Sequence, residues 1–390
     1  MLRLRSLLFL AICSLTALPA VAHSFAVGSC APRLQSFATI SAAVSSVPPG
    51  STIFVCPGTY PEQVTITQPL TLQGIASSNQ DQAVIAVPVA GLTGNITSIF
   101  GQTVAAQVLV QGVGPVRIIN ITVDGAGGDT GCAGGTWLSG IFYASSSSGE
   151  VSHVKASNQI SGGCGVGIWA ENGDSINKSV RIEDNTVHDN DSVGIFTAAG
   201  TTPSLNASIR GNLVSVNTGL IGILSDNVTG WVTENDVSNA MFGMVDAGPG
   251  VSISENNISQ TTAGIVLENG GSIRENRLSS SGIGVWFFSD GGSVRSNRLV
   301  SMSLAAIEFN CSSATVSHNT INDAAVGLDN VPTGLRTTNT FYNTATIQTD
   351  GCASTPLVAS SARTAAPSAG RSGDSIWQWR TPASPLGSLR

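Results

Sequence analysis

The chain has 390 residues, a net charge of −7 and 44 glycines, and only 11% of its residues are charged. An average soluble domain has about twice that share of charged residues, so we expect β-structure closed by many tight turns. Lysine occurs only at Lys155 and Lys178. Because no basic stripe is available to neutralise phosphates, nucleic acid is excluded as an expected partner.

The first residues have the features of an export signal. Arg3 and Arg5 form a basic start, an apolar stretch follows at Leu7–Leu18, and Ala20 and Ala22 offer a small-residue cleavage site. We therefore predict a signal peptide over residues 1–22 and a secreted, periplasmic or cell-surface location. A membrane anchor is the alternative, but this stretch is short, and no other window approaches the ~20 apolar residues that span a bilayer.

Six cysteines remain once Cys13 is removed with the signal peptide. An even number in an exported chain indicates three disulfides, for which many connectivities exist. Proximity in sequence favours the pairs Cys30–Cys56, Cys132–Cys164 and Cys311–Cys352. No cysteine spacing indicates a zinc site.

The segment 36–47 predicts an amphipathic helix. Phe37, Ile40 and Val44 recur at helical spacing, and Pro48 and Pro49 end the pattern. We expect this helix to cap the strands that follow and to protect an open sheet edge. Residues 51–66 are predicted as paired strands around a turn, and residues 69–73 as a further strand.

A short motif, apolar-x-x-Asn-x-apolar, recurs through the second half of the chain. Successive asparagines are 27, 23, 21, 20, 21, 22 and 20 residues apart. Such a period predicts a solenoid, in which each coil buries its apolar side chains against the next. We expect each asparagine to occupy a tight turn in the left-handed conformation and to form a ladder of stacked amides. The asparagines are Asn185, Asn212, Asn235, Asn256, Asn276, Asn297 and Asn319, with a weaker copy at Asn339.

A second motif, glycine followed by an aliphatic residue, advances in step with the first. Two markers with one period predict an all-β fold: a single right-handed parallel β-helix with an N-terminal capping helix. The LxxLxL signature of leucine-rich solenoids is absent here, and hexapeptide solenoids have a shorter period. The glycines are Gly140, Gly167, Gly194, Gly222, Gly243, Gly264, Gly284 and Gly327.

The chain resembles a known superfamily. Residues 37–74 are similar to the opening of right-handed β-helix proteins of the pectin-lyase-like superfamily, and Pro57-Gly58-Thr59-Tyr60-x-Glu62 resembles an element of pectinesterases. The later coils resemble the parallel β-helix repeat of the same superfamily. The resemblance implies the fold but no particular chemistry, because the superfamily contains lyases, hydrolases, esterases, epimerases and non-enzymes.

Two activities of that superfamily are disfavoured. The paired aspartates and the later Arg-Pro-Trp segment of pectinesterases are absent, as is the three-aspartate pattern of polygalacturonases. The β-helix domain is predicted over residues 23–358. Residues 359–390 are rich in Ser, Ala and Pro, and we predict a flexible tail.

The residue after each aliphatic of the second motif should point outward. Because water-facing strands should alternate to polar residues, this apolar row needs a cover or a ligand. Aromatic faces bind sugars, so we predict ligand binding by Phe142, Trp169, Phe196 and Trp286. Cover by loops, by the tail or by an oligomer contact along this aromatic ladder is the alternative. The full row is Phe142, Trp169, Phe196, Leu224, Val245, Val266 and Trp286.

Ionisable residues cluster around the first asparagine turn. Stacking of coils should bring together His153, Lys155, Glu183, Asp184 and Arg210. Lyases and epimerases on this fold use a basic group to remove a sugar C5 proton and a cation to stabilise the anion. These five residues are the predicted catalytic candidates, and an ordinary surface ion-pair network is the alternative.

An acidic column extends from Asp184 through Glu234, Glu255 and Glu275. Arginines could neutralise it, or Ca²⁺ could bind between carboxylates, and no other cofactor is expected. The arginines available are Arg274, Arg277, Arg295 and Arg298. The polar loop that begins at His188 and Asp189 is a weaker candidate for acid–base work.

The predicted function is therefore a secreted protein that binds, and could cleave or epimerise, an acidic polysaccharide. The alternative is a non-catalytic surface or adhesion solenoid. An enzyme needs the charged group to converge in an open cleft, whereas a structural solenoid needs only regular coils.

Overall fold

The computed structural model describes residues 23–352, except residues 76–81, 130, 133–134, 217–218, 249, 290, 334 and 336. The predicted signal peptide and tail lie outside the described residues. Within the described part, the structure is almost entirely β, with one helix at Ile40–Ser46. No helix in that part is long and apolar enough to span a membrane.

The predicted right-handed parallel β-helix is confirmed. Each coil contributes strands to three columns, and each strand pairs in parallel with its counterpart in the next coil. The pre-turn column precedes the asparagine position. It contains Ser24–Val27, Ser51–Val55, Leu70–Gly74, Val116–Ile119, Gly149–Ser152, Lys178–Glu183, Leu205–Arg210, Thr229–Thr233, Gly250–Ser254, Ser272–Arg274, Ser293–Arg295, the start of Thr315–Asp329, and Thr338–Tyr342.

The post-turn column follows the asparagine position. It contains Gly58–Pro61, Ala83–Ala86, Thr122–Asp124, Lys155–Ser157, Thr186–His188, Leu213–Ser215, Asp236–Ser238 and Asn257–Ser259. The later strands Arg277–Phe287, Arg298–Glu308 and Thr315–Asp329 are long enough to belong to this column and to the next.

The glycine column carries the second motif. It contains Val64–Ile66, Thr103–Val110, Thr136–Tyr143, Gly165–Asn172, Val193–Ala199, Ile221–Asp226, Phe242–Asp246, Ala263–Leu267, the ends of the three long strands, and Thr346–Gln348. Two short strands stand apart: Gln35–Phe37 pairs with the first strand, and Ile96–Thr97 pairs antiparallel with Thr103–Val110.

The interior of the coils is mainly apolar and contains a row of amides. Ile182, Ile209 and Ile273 are fully buried where alternation along the strand sends them inward. The asparagines stack in a single column, and each side-chain amide donates to the Oδ1 of the next at 2.8–3.0 Å. The predicted amide ladder is therefore confirmed from Asn185 to Asn339.

The left-handed residue of each turn is not the asparagine, and the prediction on this point was wrong. Positive φ falls on the residue before it, including Asp184 at 56°, Glu234 at 57° and Glu255 at 60°. The asparagine is buried because its side chain must reach backbone carbonyls and the next amide. The preceding residue faces solvent, where a polar side chain tolerates the left-handed conformation.

The helix Ile40–Ser46 packs its buried residues Ile40, Ala43 and Val44 into the apolar interior. Both carboxylate oxygens of Glu62 accept from the free amides of Ile40 and Ser41, each at 2.8 Å. A helix begins with unsatisfied N–H groups and a positive dipole end, which a carboxylate stabilises. Glu62 of the pectinesterase-like element is thus structural, and the capping role of the helix stays a prediction.

The expectation of strands paired with each other over residues 51–66 was wrong. Ser51–Val55, Gly58–Pro61 and Val64–Ile66 belong to three different columns, and each pairs with the next coil. A short hairpin and one coil of a solenoid share the same alternation and turn residues, so the local pattern does not separate them.

The three predicted disulfides are present. Cα–Cα distances are 5.6 Å for Cys30–Cys56 and 5.5 Å for both Cys132–Cys164 and Cys311–Cys352. The first joins the N-terminal strand region to the first coil, and the last joins the final coils. They add covalent links at both ends of the solenoid, where coils have only one neighbour.

Candidate functional site

An open cleft of about 400 Å³ lies beside the turn between the pre-turn and post-turn columns. It lies where the amide ladder begins, because Val154 occupies the ladder position one coil before Asn185. Its volume falls within the range of small-molecule sites. The lining residues are Gln82, Asn120, Ile121, His153, Val154, Lys155, Asp184, Thr186 and His188.

Two of the predicted catalytic residues occupy the left-handed turn position in successive coils. His153 has φ 55° and Asp184 has φ 56°. The His153 backbone N–H donates to the carbonyl of Glu183 at 3.3 Å, which keeps the two turns in register. Neighbouring coils lie ~4.8 Å apart, so the imidazole and the carboxylate project side by side into the cleft.

Lys155 begins the post-turn strand and is exposed. Its register partner in the next coil is Thr186, and His188 lies two residues further along that strand. Residues two apart on a strand face the same side. Lys155 and His188 therefore point to the same face and complete the cleft.

His188 has a partner that orients its ring. Its Nδ1 lies 2.6 Å from the Oδ2 of Asp189. When Nδ1 donates its proton to this carboxylate, Nε2 is left as the proton acceptor. The loop that the sequence marked as a weaker candidate thus supplies an oriented base to the same cleft as His153 and Lys155.

The other two predicted catalytic residues do not line the cleft. Arg210 is directed to the following coil, where its Nε and Nη2 donate to Glu234 Oε2 at 2.9 and 2.8 Å. That hydrogen bond raises the pKa of Arg210. Glu183 accepts from the Ser208 hydroxyl at 3.4 Å. For these two residues, the surface-network alternative fits the structure better.

Arginines pair with part of the acidic column. Glu234 is bound by Arg210, and Glu275 lies 3.3 Å from the Nη1 of Arg274. Within the described ranges, no group of three or more His, Cys, Asp or Glu residues is arranged to hold a metal ion. The column is therefore a partly paired surface row, and Ca²⁺ binding between its carboxylates stays a prediction.

The aromatic ladder points outward from the coils, as predicted, but it is covered. Relative exposure is 0% for Phe142, 1% for Trp169, 5% for Phe196 and 9% for Trp286. The predicted sugar-binding role needs open ring faces, so the structure does not support it. Cover by the chain itself, one of the stated alternatives, is what the structure contains.

The cover comes from the segment before the strand Thr103–Val110. Phe100 stacks on Phe196 with ring centroids 5.8 Å apart, and Ile99 packs on the same cluster. The Ile99 backbone N–H donates to Glu171 Oε1 at 2.9 Å. This hydrogen bond fixes the cover to the glycine column, in which Glu171 lies two residues after Trp169.

Glu171 is buried, and within the described residues it forms no ion pair. Burial raises its pKa to about 8, against the smaller opposing effects of hydrogen bonds from the Ile99 amide and the Trp169 side chain. Asp246 is similar: burial raises its pKa well above the usual range, and the charges of Asp226 and Glu268 add to this. Sequence reasoning missed these buried acids, because they stand outside both motifs.

A second surface cavity of about 430 Å³ lies near the other end of the solenoid. Asp323 is its one charged lining residue, among serine, alanine, methionine and asparagine side chains. It lacks both a base and a cation. The cleft at His153 and Lys155 is therefore the better candidate for chemistry.

No protein-family model matches the chain, and no curated protein matches it by sequence. Solved structures match it at low identity. A GH136 lacto-N-biosidase from Eubacterium ramulus aligns at 11% identity, TM-score 0.57, over 83% of this chain and 68% of that one. The Dettilon tailspike protein aligns at 12% identity, TM-score 0.52, over 78% and 63% of the chains. The mannuronan C-5 epimerase AlgE6 A-module from Azotobacter vinelandii aligns at 16% identity, TM-score 0.46, over 79% and 93%. The first two alignments, at 11% and 12% identity, show a likeness of fold alone.

Proposed function

We propose that this protein is exported, binds an acidic polysaccharide in the cleft at His153 and Lys155, and removes the C5 proton of a bound uronate. The observation that carries the proposal is the convergence of Lys155, His153 and His188 in one open cleft. A cation and two imidazoles at one place are uncommon in a chain with only four histidines and 17 basic residues.

The chemistry follows from the groups present. The Lys155 ammonium would neutralise the uronate carboxylate, whose negative charge otherwise opposes loss of the adjacent proton. An imidazole is suited to accept that proton. His188 is the better-oriented base because Asp189 holds its ring, and His153 is the second candidate.

Two outcomes are chemically balanced from the same carbanion. In elimination, the C5 proton goes to the imidazole, the C–H electron pair forms the C4–C5 double bond, and the glycosidic oxygen leaves C4 and takes the proton that the imidazolium carries. In epimerisation, water gives a proton to the opposite face of C5, and the imidazolium releases its proton to the hydroxide that remains. The cleft residues do not select between these two outcomes.

Two further observations, the disulfides and a structure of similar fold, support export and a carbohydrate ligand. Three disulfides in one chain are typical of oxidising compartments, where extracellular polysaccharides are found. A structure of similar fold is named as a lacto-N-biosidase. Fold analogy alone does not choose a function, so the cleft remains the main support.

Binding is tested first. The purified mature chain is applied to an array that carries polygalacturonate, alginate and neutral dextran. We expect binding to at least one uronate polymer and none to dextran. Failure to bind any acidic glycan would overturn the proposal.

Proton removal is tested next, by incubation of the bound polymer in D₂O. Both elimination and epimerisation replace or remove the C5 hydrogen, so NMR detects either one, and absorbance of unsaturated uronates identifies elimination. We expect a signal with the wild-type protein and none with Lys155→Ala. Binding without any loss of C5 hydrogen would limit the function to recognition.

Binding without loss of C5 hydrogen is the result expected for the alternative, a non-catalytic solenoid. Its structural support is the regularity of the coils from Leu205 to Gln348 and the closure of the aromatic ladder by the chain itself. The D₂O experiment decides between the two, because a structural solenoid has no reason to exchange a carbon-bound proton.

A further inference from the structure

Four arginines form two register pairs on two successive coils, five register steps beyond the cleft. Arg274 is in register with Arg295 in the pre-turn column, and Arg277 is in register with Arg298 in the post-turn column. All four are exposed. We call this group the arginine quartet. It concentrates four positive charges on a chain whose net charge is −7.

Among the described residues, most of the quartet takes no part in an ion pair. Arg274 lies 3.3 Å from Glu275. In the part of the chain that the structure describes, the guanidinium groups of Arg277, Arg295 and Arg298 form no ion pair. Elsewhere on this surface, Arg117, Arg181 and Arg210 are each bound to a glutamate. The quartet therefore differs from the rest of the surface.

Like charges directly opposite each other on neighbouring strands are unfavourable. The parallel coils hold the two arginine pairs at the ~4.8 Å strand spacing, so only the flexible ends of the side chains can move apart. A ligand that places several anionic groups at this position relieves the repulsion. Planar guanidinium groups match carboxylates in particular, since they can bind both oxygens.

The surroundings of the quartet suit a sugar rather than a lipid or a packed protein surface. Ser272 and Ser293 precede the arginines in the same two strands, and Asn257 and Thr320 flank them in the post-turn column. Hydroxyl and amide groups beside the turn can bind sugar hydroxyls. A polymer that carries both hydroxyls and carboxylates therefore fits this face.

We propose that the arginine quartet is an accessory binding surface for the carboxylates of an acidic polysaccharide. This inference rests on the proposed function, and it adds a second contact on the same polymer. Five register steps in the post-turn column separate Lys155 from Arg277, or about 24 Å at the strand spacing. A long chain can engage both places, and its affinity then exceeds that of the cleft alone.

The test compares two double variants with the same change in charge. Arg295→Gln with Arg298→Gln removes one coil of the quartet. Arg33→Gln with Arg181→Gln is the control, because both side chains are exposed and Arg117 remains to pair with Glu150. Dissociation constants are measured for long polygalacturonate or alginate and for the matching trisaccharides, at low and high salt.

We expect at least a tenfold loss of affinity for the long polymer in the quartet variant and less than a twofold change in the control. The trisaccharide, too short to span both places, should bind both variants equally. High salt should reduce the difference, because exposed charges are screened. Arg277→Gln with Arg298→Gln removes the post-turn pair of the quartet and should repeat the result.

Equal polymer affinity in the quartet variant and the control would overturn the accessory surface while leaving the cleft proposal intact. Absence of polymer binding by the wild-type protein would overturn both. Duplex DNA serves as a second probe, and binding to it as tight as to the uronate polymer would contradict the assignment to a polysaccharide.

Discussion

The side-chain amide of Asn212 donates to the Oδ1 of Asn235 at 2.8 Å, and both residues are 1% exposed. Asn235 in turn donates to the carbonyl of Ile209 and to Asn256. Each asparagine thus ties three successive coils together. This contact is the repeating unit that holds the turn face of the solenoid in register.

Asn235→Ala should destabilise the fold strongly. It leaves the Asn212 amide and the Ile209 carbonyl without their partner inside the coil, and each such buried group costs about 1–3 kcal/mol. We expect a loss of about 3 kcal/mol or more in the free energy of unfolding by denaturant. Asn206→Ala is the matched control, because Asn206 is exposed, and a loss of similar size there would argue against the ladder as the cause.

Glu171→Gln should change how stability depends on pH. In the folded chain the pKa of Glu171 is about 8, above the usual value of 4.5, so the folded state holds a proton that the unfolded state has lost. Stability from this group is fully present below pH 4.5 and is lost as the pH rises to about 8. The slope is about 1.4 kcal/mol per pH unit for one such group.

The wild-type melting temperature should therefore fall between pH 5 and pH 8, and the Glu171→Gln substitution should reduce that fall. The neutral amide can still accept from the Ile99 N–H. The buried Asp246 should leave a residual slope of the same sign. If melting temperature depended on pH in the same way in both proteins, Glu171 would not be protonated in the folded chain.

Phe100→Ala should loosen the cover over the aromatic ladder. It removes the ring that stacks on Phe196, while the solenoid core lies in a separate cluster. We expect faster hydrogen exchange in residues 96–102 and unchanged protection in the amide ladder. Phe288→Ala provides the control, because that ring packs on Trp286 at the other end of the ladder. Equal exchange in both variants at residues 96–102 would contradict the assigned cover.

The columns could be predicted from sequence because each coil repeats the same inward apolar residues and the same buried asparagine. Asparagine recurs at the position of Asn235 in each coil, because few other side chains can supply the buried hydrogen bonds of this turn. The left-handed residue before it was missed because Asp184, Glu234 and the other residues at this position differ in type. At that position the turn requires an exposed residue with left-handed backbone geometry, and several side chains meet this requirement.

The site was predicted only in part for a related reason. His153, Lys155 and Asp184 share a cleft because register between coils fixes their positions. The direction of the long Arg210 side chain depends on Glu234, one coil further on, which spacing alone does not reveal. Closure of the ladder over Phe196 depends on Phe100, in a segment outside the repeat, and that segment has no periodic signal.

Binding of a uronate polymer in the cleft at Lys155 is tested most directly by calorimetric titration with a uronate trisaccharide. Lys155→Ala is compared with Lys178→Ala, which removes the chain's other lysine, in the same solenoid but outside the cleft. We predict at least a tenfold loss of affinity for Lys155→Ala and wild-type affinity for Lys178→Ala. Equal affinity in the two variants would contradict a uronate site at Lys155.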